Sequence, residues 1–142
     1  MLTLTRPTVA DLAAAHEDIG IDLESFERLS GKPNINTRLG YSYRDANNYK
    51  QYEDVVLEGE ISAEQIQTLL DHRDEDGGFI PGQVGLSDLQ PRMAGGYDDE
   101  VDHPFHDFHD LSLCEDEANS ISVEELVQNF VEVSWDQSHV PC

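Results

Sequence analysis

The amino-acid sequence predicts an α+β fold, in which a small antiparallel sheet built on a hairpin carries helices on one face. Helix-capping signals followed by apolar residues at helical spacing occur towards both ends of the chain. Between them, apolar and polar residues alternate, as is typical of half-buried strands. Turn-forming residues separate the two kinds of segment. We expect an N-terminal helical extension and linker at residues 1–38, followed by an α+β core domain at residues 39–142.

Three helices are predicted from their start signals. "TVADLAAAHEDIG" has Thr8 as N-cap and Asp11 three residues later, which together form a capping box, and Gly20 is expected to end this helix. "ISAEQIQTLLDHRD" and "ISVEELVQNFVEV" begin in the same way from Ser62 and Ser122. The last helix has one apolar stripe, formed by Val123, Leu126, Val127, Phe130 and Val131. A further run, "IDLESFERLSG", completes an N-terminal helical pair.

Two alternating runs predict the hairpin. "LGYSYRD" alternates Leu39, Tyr41 and Tyr43 with small or polar residues, and "EDVVLEGEI" follows after the turn-rich loop "ANNYKQY". "FIPGQVGL" is broken by proline and glycine, which predicts an edge strand or a structured loop. "FHDFHDLSL" predicts the last strand, and "LSGKPNINTR" at residues 29–38 is typical of a linker.

The charge of the chain excludes one class of partner. Thirty acidic residues stand against eight basic ones, for a net charge of −22, and no basic stripe is present. Such a surface repels phosphate backbones, so we expect no nucleic-acid binding. Three interpretations of the acidity stay open: a solvated surface adapted to high salt, an acidic face that binds a basic protein or mimics DNA, and cation binding.

Other global features predict a cytoplasmic protein. No apolar run approaches the roughly 18 residues of a membrane span, and the first residues do not follow the pattern of a signal peptide. The two cysteines, Cys114 and Cys142, stand in unrelated contexts, which suits a reducing compartment. Short strands leave sheet edges that need protection, so we expect a homo-oligomer, most simply a dimer.

The segment "DHPFHDFHD" (102–110) contains three histidines. His103 precedes a proline and is therefore biased towards extended backbone. On a strand, His103 and His109 would lie about 20 Å apart on one face, with His106 on the other. No single element gathers the three rings, so neither a metal ligand nor a cofactor is predicted, and His103 and His106 are expected to act as polar groups of a ligand pocket.

The segment "YRDANNYK" predicts a site for a small anion. It joins two cations to amide and phenol groups in an otherwise acidic chain. The alternative is that the asparagines satisfy turn geometry and the tyrosine packs. "GGFIPGQVGL" adds a ring for stacking and an amide. The predicted ligand-binding residues are Tyr43, Arg44, Asn47, Asn48, Tyr49, Lys50, Phe79, Gln83, His103 and His106.

The motifs "YRDANNYK", "FIPGQVGLSDLQPR" and "DHPFHDF" resemble, in this order, a set of short hypothetical proteins from bacteria and their phages. The pattern of that set is similar to YRDxSNYK, FIPxQVGLPDLQ and DHxWHE, and it covers residues 40–110. Asn47, Phe105 and Asp107 depart from it. The chain also resembles phage anti-Thoeris proteins in size and in its strand–loop–helix layout. That likeness implies a sponge that sequesters a nucleotide-derived immune signal.

The expected function is therefore non-enzymatic binding of a small anionic, nucleotide-like ligand, in the host cytoplasm if the protein is phage-encoded. No G-x-S-x-G or H-E-x-x-H motif is present, and no catalytic residue is predicted. Two alternatives stay open. One is an acidic DNA mimic or protein inhibitor, and the other is a metal-dependent hydrolase that uses the cluster at residues 102–110.

Overall fold

A computed structural model describes residues 8–44, 50–89 and 103–136. Helices and strands alternate irregularly along these ranges. Their bounds, in chain order, are α1 (Val9–Ala15), β1 (Gly20–Ile21), α2 (Leu23–Leu29), β2 (Asn36–Arg44), β3 (Lys50–Leu57), α3 (Ala63–Asp71), β4 (Asp107–Cys114) and α4 (Val123–Glu132), with a 3₁₀ turn at Pro81–Gln83. Within these ranges, no helix combines the length and the apolar character needed to cross a membrane.

The four strands form one mixed sheet in the order β1-β4-β2-β3. β2 and β3 form the predicted antiparallel hairpin, and β4 pairs antiparallel with β2 on its other side. β1 pairs parallel with β4, so the sheet is mixed, whereas the sequence predicts an antiparallel sheet. The difference arises because the chain leaves β1 through Asp22, whose N–H donates to the Leu111 carbonyl at 2.9 Å. The α+β class is confirmed.

The N-terminal residues pack on the sheet. Strand β2 begins at Asn36, inside the segment 29–38 that the sequence predicts as a linker. Ser25 of α2 accepts a hydrogen bond at its Oγ from the Leu113 amide of β4, at 3.0 Å. One buried cluster joins residues of this region to the sheet: Leu12, Ile19, Phe26, Leu29, Leu39, Leu111 and Leu113 are members. Residues 8–38 therefore contribute to the core that the sequence assigns to residues 39–142.

The three predicted N-caps are present, and the reciprocal capping box is complete at α1 and α3 but not at α4. Thr8 and Asp11 exchange two hydrogen bonds, of 3.1 and 3.0 Å, at the start of α1. Ser62 and Gln65 do the same at α3, and the Ser122 Oγ accepts from the amide of the third helical residue at α4. Helix α1 ends at Ala15, before the predicted stop at Gly20, and Gly20 lies in β1. These caps satisfy amides that a helix leaves unpaired at its start.

An aromatic stack fills the space between the sheet and α4. Phe79 and Phe108 stack with ring centroids 4.5 Å apart, and Phe130 lies 5.9 Å from Phe108. Phe130 is fully buried, while Val131 is 48% exposed. The buried stripe of α4 is thus narrower than the sequence predicts, because Val131 lies on its margin in the last turn of the helix.

We expect Phe130→Ala to lower the free energy of unfolding by about 3–5 kcal/mol, because it removes a ring with no exposed surface from this stack. Chemical denaturation measures the loss. Val131→Ala is the matched control on the same turn and should change stability by less than about 1 kcal/mol. Equal effects of the two substitutions would contradict the assignment of this stripe to the core.

Candidate functional site

A surface groove lies where β4 begins. Two adjoining pockets, of about 290 and 320 Å³, share Asp107 as a lining residue. The first is bounded by the loop that follows α3, by His103 and by Phe105. The second is bounded by Arg44, Arg73 and six further residues: Asp18, Ser42, Gly77, Asp107, Phe108 and His109. The two pockets together are termed the β4 groove.

The loop at residues 74–78 forms one wall of the groove because it folds on its own aspartate. The Asp74 carboxylate accepts hydrogen bonds from the amides of Asp76, at 3.1 Å, and Gly78, at 2.6 Å. The Asp74 amide donates to the Gly78 carbonyl at 2.9 Å. Gly77 has a φ of +87°, which favours glycine. The loop is therefore a tight turn rather than an open acidic tail.

The loop approaches β4 closely at Gly78. A Cβ atom there would lie 3.1 Å from the Phe105 Cβ, so a larger residue would push the loop away from the strand. Next to it, Phe79 and His106 exchange two backbone hydrogen bonds, of 2.9 and 2.7 Å. This short bridge joins the loop to the residue that precedes β4. The width of the groove is therefore set by backbone contacts.

Arg73 is held in position by the same loop. Its Nε donates to the Leu70 carbonyl at 3.2 Å, and one terminal nitrogen donates to the Gly77 carbonyl at 3.4 Å. These bonds orient the guanidinium without neutralising its charge, because both acceptors are uncharged carbonyls. Arg44, at the end of β2, is exposed and lines the same pocket. Two arginines from distant parts of the sequence therefore converge on one cavity.

His106 belongs to the interior, not to the groove. Its ring is fully buried, and its Nε2 accepts a hydrogen bond from the Leu89 amide at 2.9 Å. The Nδ1 lies 2.9 Å from the Pro104 carbonyl and is assigned as the protonated nitrogen, since a carbonyl only accepts. Both nitrogens of the neutral ring are thus used by the backbone. The predicted ligand contact is replaced by a structural one.

Two other predicted ligand residues are also interior. Tyr43 and Phe79 have no exposed surface, so neither ring can stack on a ligand at the surface. The Tyr43 hydroxyl accepts a hydrogen bond from the His103 amide at 3.3 Å. Gln83 is partly exposed but its amide binds the segment after α4, through the Ser134 carbonyl and the Asp136 amide. These side chains support the fold around the groove.

Of the ten predicted residues, the structure brings Arg44 and His103 to the groove. The His103 Nε2 lies 2.8 Å from the Arg44 carbonyl, and its Nδ1 accepts from the Phe105 amide at 3.2 Å. Lys50 pairs with Arg44 in the hairpin register but lines neither pocket. Asn47, Asn48 and Tyr49 lie outside the described residues.

Asp107 sits between opposing charges. Partial burial of its carboxyl group raises the pKa above the ordinary value of 3.8, and the negative charges of Asp18 and Asp74 raise it further. The nearby His103 and Arg44 act in the opposite direction, but burial prevails. The groove therefore holds a carboxylate that is costly to ionise in the folded protein.

A second pair of carboxylates lies on the solvent-facing side of the sheet. Asp54 of β3 and Asp110 of β4 meet above Gly40, where a Cβ atom would lie 2.7 and 2.5 Å from their oxygens. Burial raises the pKa of Asp110, and the charge of Asp54 raises it further. Glycine at position 40 is required by this close approach, which places both acids over the middle of β2.

The geometry gives no support to metal-dependent hydrolysis. In residues 8–44, 50–89 and 103–136, no group of three or more histidine, cysteine, aspartate or glutamate side chains is arranged to hold a metal ion. His106 of the cluster at residues 102–110 is committed to backbone partners. The cluster is divided between the interior and the surface, as alternation along a strand predicts.

Sequence reasoning missed Arg73, Asp107 and His109 as lining residues of the groove. Arg73 stands in "DHRDEDGG", at the end of the helix predicted from Ser62, and one signal was available there. A lone arginine among four acidic residues, followed by two glycines, indicates a turn that presents a single cation. The convergence of Arg73 with Arg44 depends on where β4 lies in the fold, and no short stretch of the sequence predicts it.

Comparison with known proteins adds no relative. The chain matches no protein-family profile, no curated protein and no solved structure.

We expect Asp107→Asn to stabilise the fold at pH 7. The pKa of Asp107 is raised by folding, so ionisation of this group favours the unfolded chain at every pH above the folded pKa. The advantage of the asparagine variant should shrink as the pH falls through the folded pKa towards 3.8, where the wild-type carboxyl is also protonated. Melting temperatures measured from about pH 3.5 to about pH 8 test this, because that interval begins near the ordinary aspartate pKa.

Glu117→Gln is the control, because any lost acid relieves some repulsion in a chain of charge −22. Glu117 is exposed in the loop before α4. An equal gain in melting temperature from both substitutions would contradict a specific cost of ionising Asp107.

Proposed function

We propose that the protein is a non-enzymatic binding protein for a small anionic, nucleotide-like ligand, held in the β4 groove. The observation that supports this proposal is the convergence of Arg44 and Arg73 on one pocket. Arginine binds phosphate through two parallel N–H donors, and two such groups around one cavity suit a phosphate or diphosphate.

The electrostatics of the whole chain strengthen the argument for local capture. A net charge of −22 repels anions at long range, so an anion is retained only where cations are placed against it. Eight basic residues are available, and Arg38 is already paired with Asp116. Two of the remaining seven line a single pocket. Asp18 and Asp107 line the same pocket, so its formal charge is balanced in a chain of charge −22.

The other lining groups suit the rest of a nucleotide. Asp18 and Asp107 are acceptors for ribose hydroxyl or base amino groups, and Ser42 both donates and accepts. Phe105 is half-buried in the adjoining pocket and offers a ring on which a base can stack, in place of the buried Phe79. Each pocket has about the volume of a small ligand site.

The biological role that we propose is retention of the ligand without conversion. A protein that binds a nucleotide-derived immune signal and releases it intact lowers the free concentration of that signal. This is the role of the phage anti-Thoeris proteins that the sequence resembles in layout. The proposal combines that resemblance with the two-arginine pocket.

A thermal-shift panel of nucleotides, cyclic dinucleotides and ADP-ribose selects the probe, and calorimetric titration then measures its affinity. We expect Arg44→Ala and Arg73→Ala each to weaken binding at least tenfold, about 1.4 kcal/mol, since each removes a charged donor from the phosphate. Arg28→Ala, an exposed arginine on α2, is the matched control and should leave affinity unchanged. Lys50→Ala should have less effect than Arg44→Ala, because Lys50 lines neither pocket.

Two further measurements separate this proposal from its competitors. Mass spectrometry of the ligand recovered from the complex should find it chemically intact, and turnover would reject the sponge in favour of an enzyme. The melting temperature of Arg73→Ala shows whether its loss of affinity is a loss of folding, because Arg73 also bonds two backbone carbonyls. Unchanged affinity in both arginine variants would reject the groove.

A further inference from the structure

Strand β3 is the long edge of the sheet, and its C-terminal end is covered by the chain itself. The Val56 amide donates to the Asn119 side-chain oxygen at 2.8 Å, and the Val56 carbonyl accepts from the Asn119 amide at 2.9 Å. Glu58, just past the strand, is bonded to the residues around Ile121 in the same way. The even-numbered residues of β3 therefore direct their backbone N–H and C=O groups away from β2.

The rest of this edge is open towards the described residues. Lys50, Tyr52 and Asp54 continue the same alternation, so their backbone groups also point outwards. Within the described ranges, no backbone or side-chain partner covers these three residues on that side. Tyr52 is 53% exposed, and Lys50 and Asp54 are also exposed. An uncovered strand edge is a template for another strand.

The open edge is complementary to itself. If two copies pair antiparallel with Tyr52 opposite the partner's Tyr52, then Lys50 lies opposite the partner's Asp54, and the partner's Lys50 lies opposite Asp54. Opposite charges that face each other across strands stabilise the pairing. About six backbone hydrogen bonds form in this register, because all three outward-facing residues reach a partner. A shift of two residues places Asp54 opposite the partner's Tyr52 and loses both charge pairs.

We propose that a second copy of this chain docks on the open edge of β3, with Tyr52 at the two-fold axis. The two four-stranded sheets then form one continuous eight-stranded sheet. The occupant is another copy rather than an unrelated strand, because in antiparallel pairing the positive end of the open edge faces the negative end of the same edge in the partner. This dimer does not depend on the ligand of the β4 groove.

The net charge sets the conditions under which the dimer forms. Two chains of charge −22 repel each other, and the repulsion acts over the Debye length, which falls from about 10 Å at 0.1 M salt to about 3 Å at 1 M. We expect light scattering of the full chain at tens of micromolar to give twice the mass of one chain in 1 M salt, and a smaller mass in dilute buffer. A single-chain mass under both conditions would overturn the proposal.

Charge reversal with rescue tests the register, at the lowest salt concentration that supports the dimer, because 1 M salt also screens the exposed charge pairs. Lys50→Glu places like charges opposite each other twice per dimer and should weaken association at least tenfold under that condition, and Asp54→Lys should do the same. The double variant Lys50→Glu/Asp54→Lys restores opposite charges across the axis and should recover the dimer. Positions 50 and 54 lie about 13 Å apart within one strand, so rescue cannot come from contact inside one chain. No rescue would overturn this register.

A cysteine at the axis gives an independent readout. In a background with Cys114→Ser and Cys142→Ser, Tyr52→Cys should form an intermolecular disulfide under mild oxidation, because paired residues in this position have Cα atoms about 5.5 Å apart. Gln51→Cys is the matched control. It faces the partner's Glu53 and should cross-link far less. Equal cross-linking by both variants would overturn the placement of Tyr52 on the axis.

Discussion

The buried His106 ring is the constraint on which both the core and the groove depend. It accepts from the Leu89 amide and donates to the Pro104 carbonyl, and so joins two irregular segments, each of which is also bonded to a side chain of β2, Tyr41 or Tyr43. A buried polar group must find partners, and these two bonds satisfy the ring in one neutral tautomer. Its backbone bridge to Phe79 completes the attachment. The aromatic stack behind the sheet and the loop that forms one wall of the groove are both set by this attachment.

Charge is distributed around this framework so that few carboxylates are withdrawn from water. The first turns of α3 and α4 contain Glu64, Glu124 and Glu125, where the positive end of a helix favours acids. Among the described residues, the exceptions are Asp107 in the groove and Asp110 above Gly40, where partial burial of the carboxyl group raises the pKa of both. Each is paired with a nearby acid, which adds to the cost. Carboxylates that are kept at such a cost in a folded protein are more often found at functional surfaces than at inert ones.

Local signals in the sequence predicted local structure well. The helix starts at Thr8, Ser62 and Ser122 were predictable because a cap involves residues three apart. The β2–β3 hairpin was predictable from the alternation within each strand, but β3 begins at Lys50, inside the segment "ANNYKQY" that the sequence predicts as a loop. Strand β1 was missed because two residues have no period, and its parallel partner lies far along the chain. The groove was half predicted. Arg44 and His103 were named, but burial of His106 and the approach of Arg73 are decided by tertiary packing, which leaves no pattern in a single segment.

The two proposed surfaces lie on adjacent strands of the same sheet. The β4 groove is lined by Ser42 and Arg44 of β2, which pair with Tyr52 and Lys50 of the open edge, so one strand spacing, roughly 5 Å, separates the two surfaces. The Tyr52 ring also lies 5.2 Å from the ring of His109, which lines the groove. A ligand that orders His109 and a partner that orders Tyr52 act on the same pair of rings. Linkage requires that any effect of ligand on dimer formation be matched by an equal effect of dimer formation on ligand affinity, so the salt dependence of the two equilibria has to be measured together.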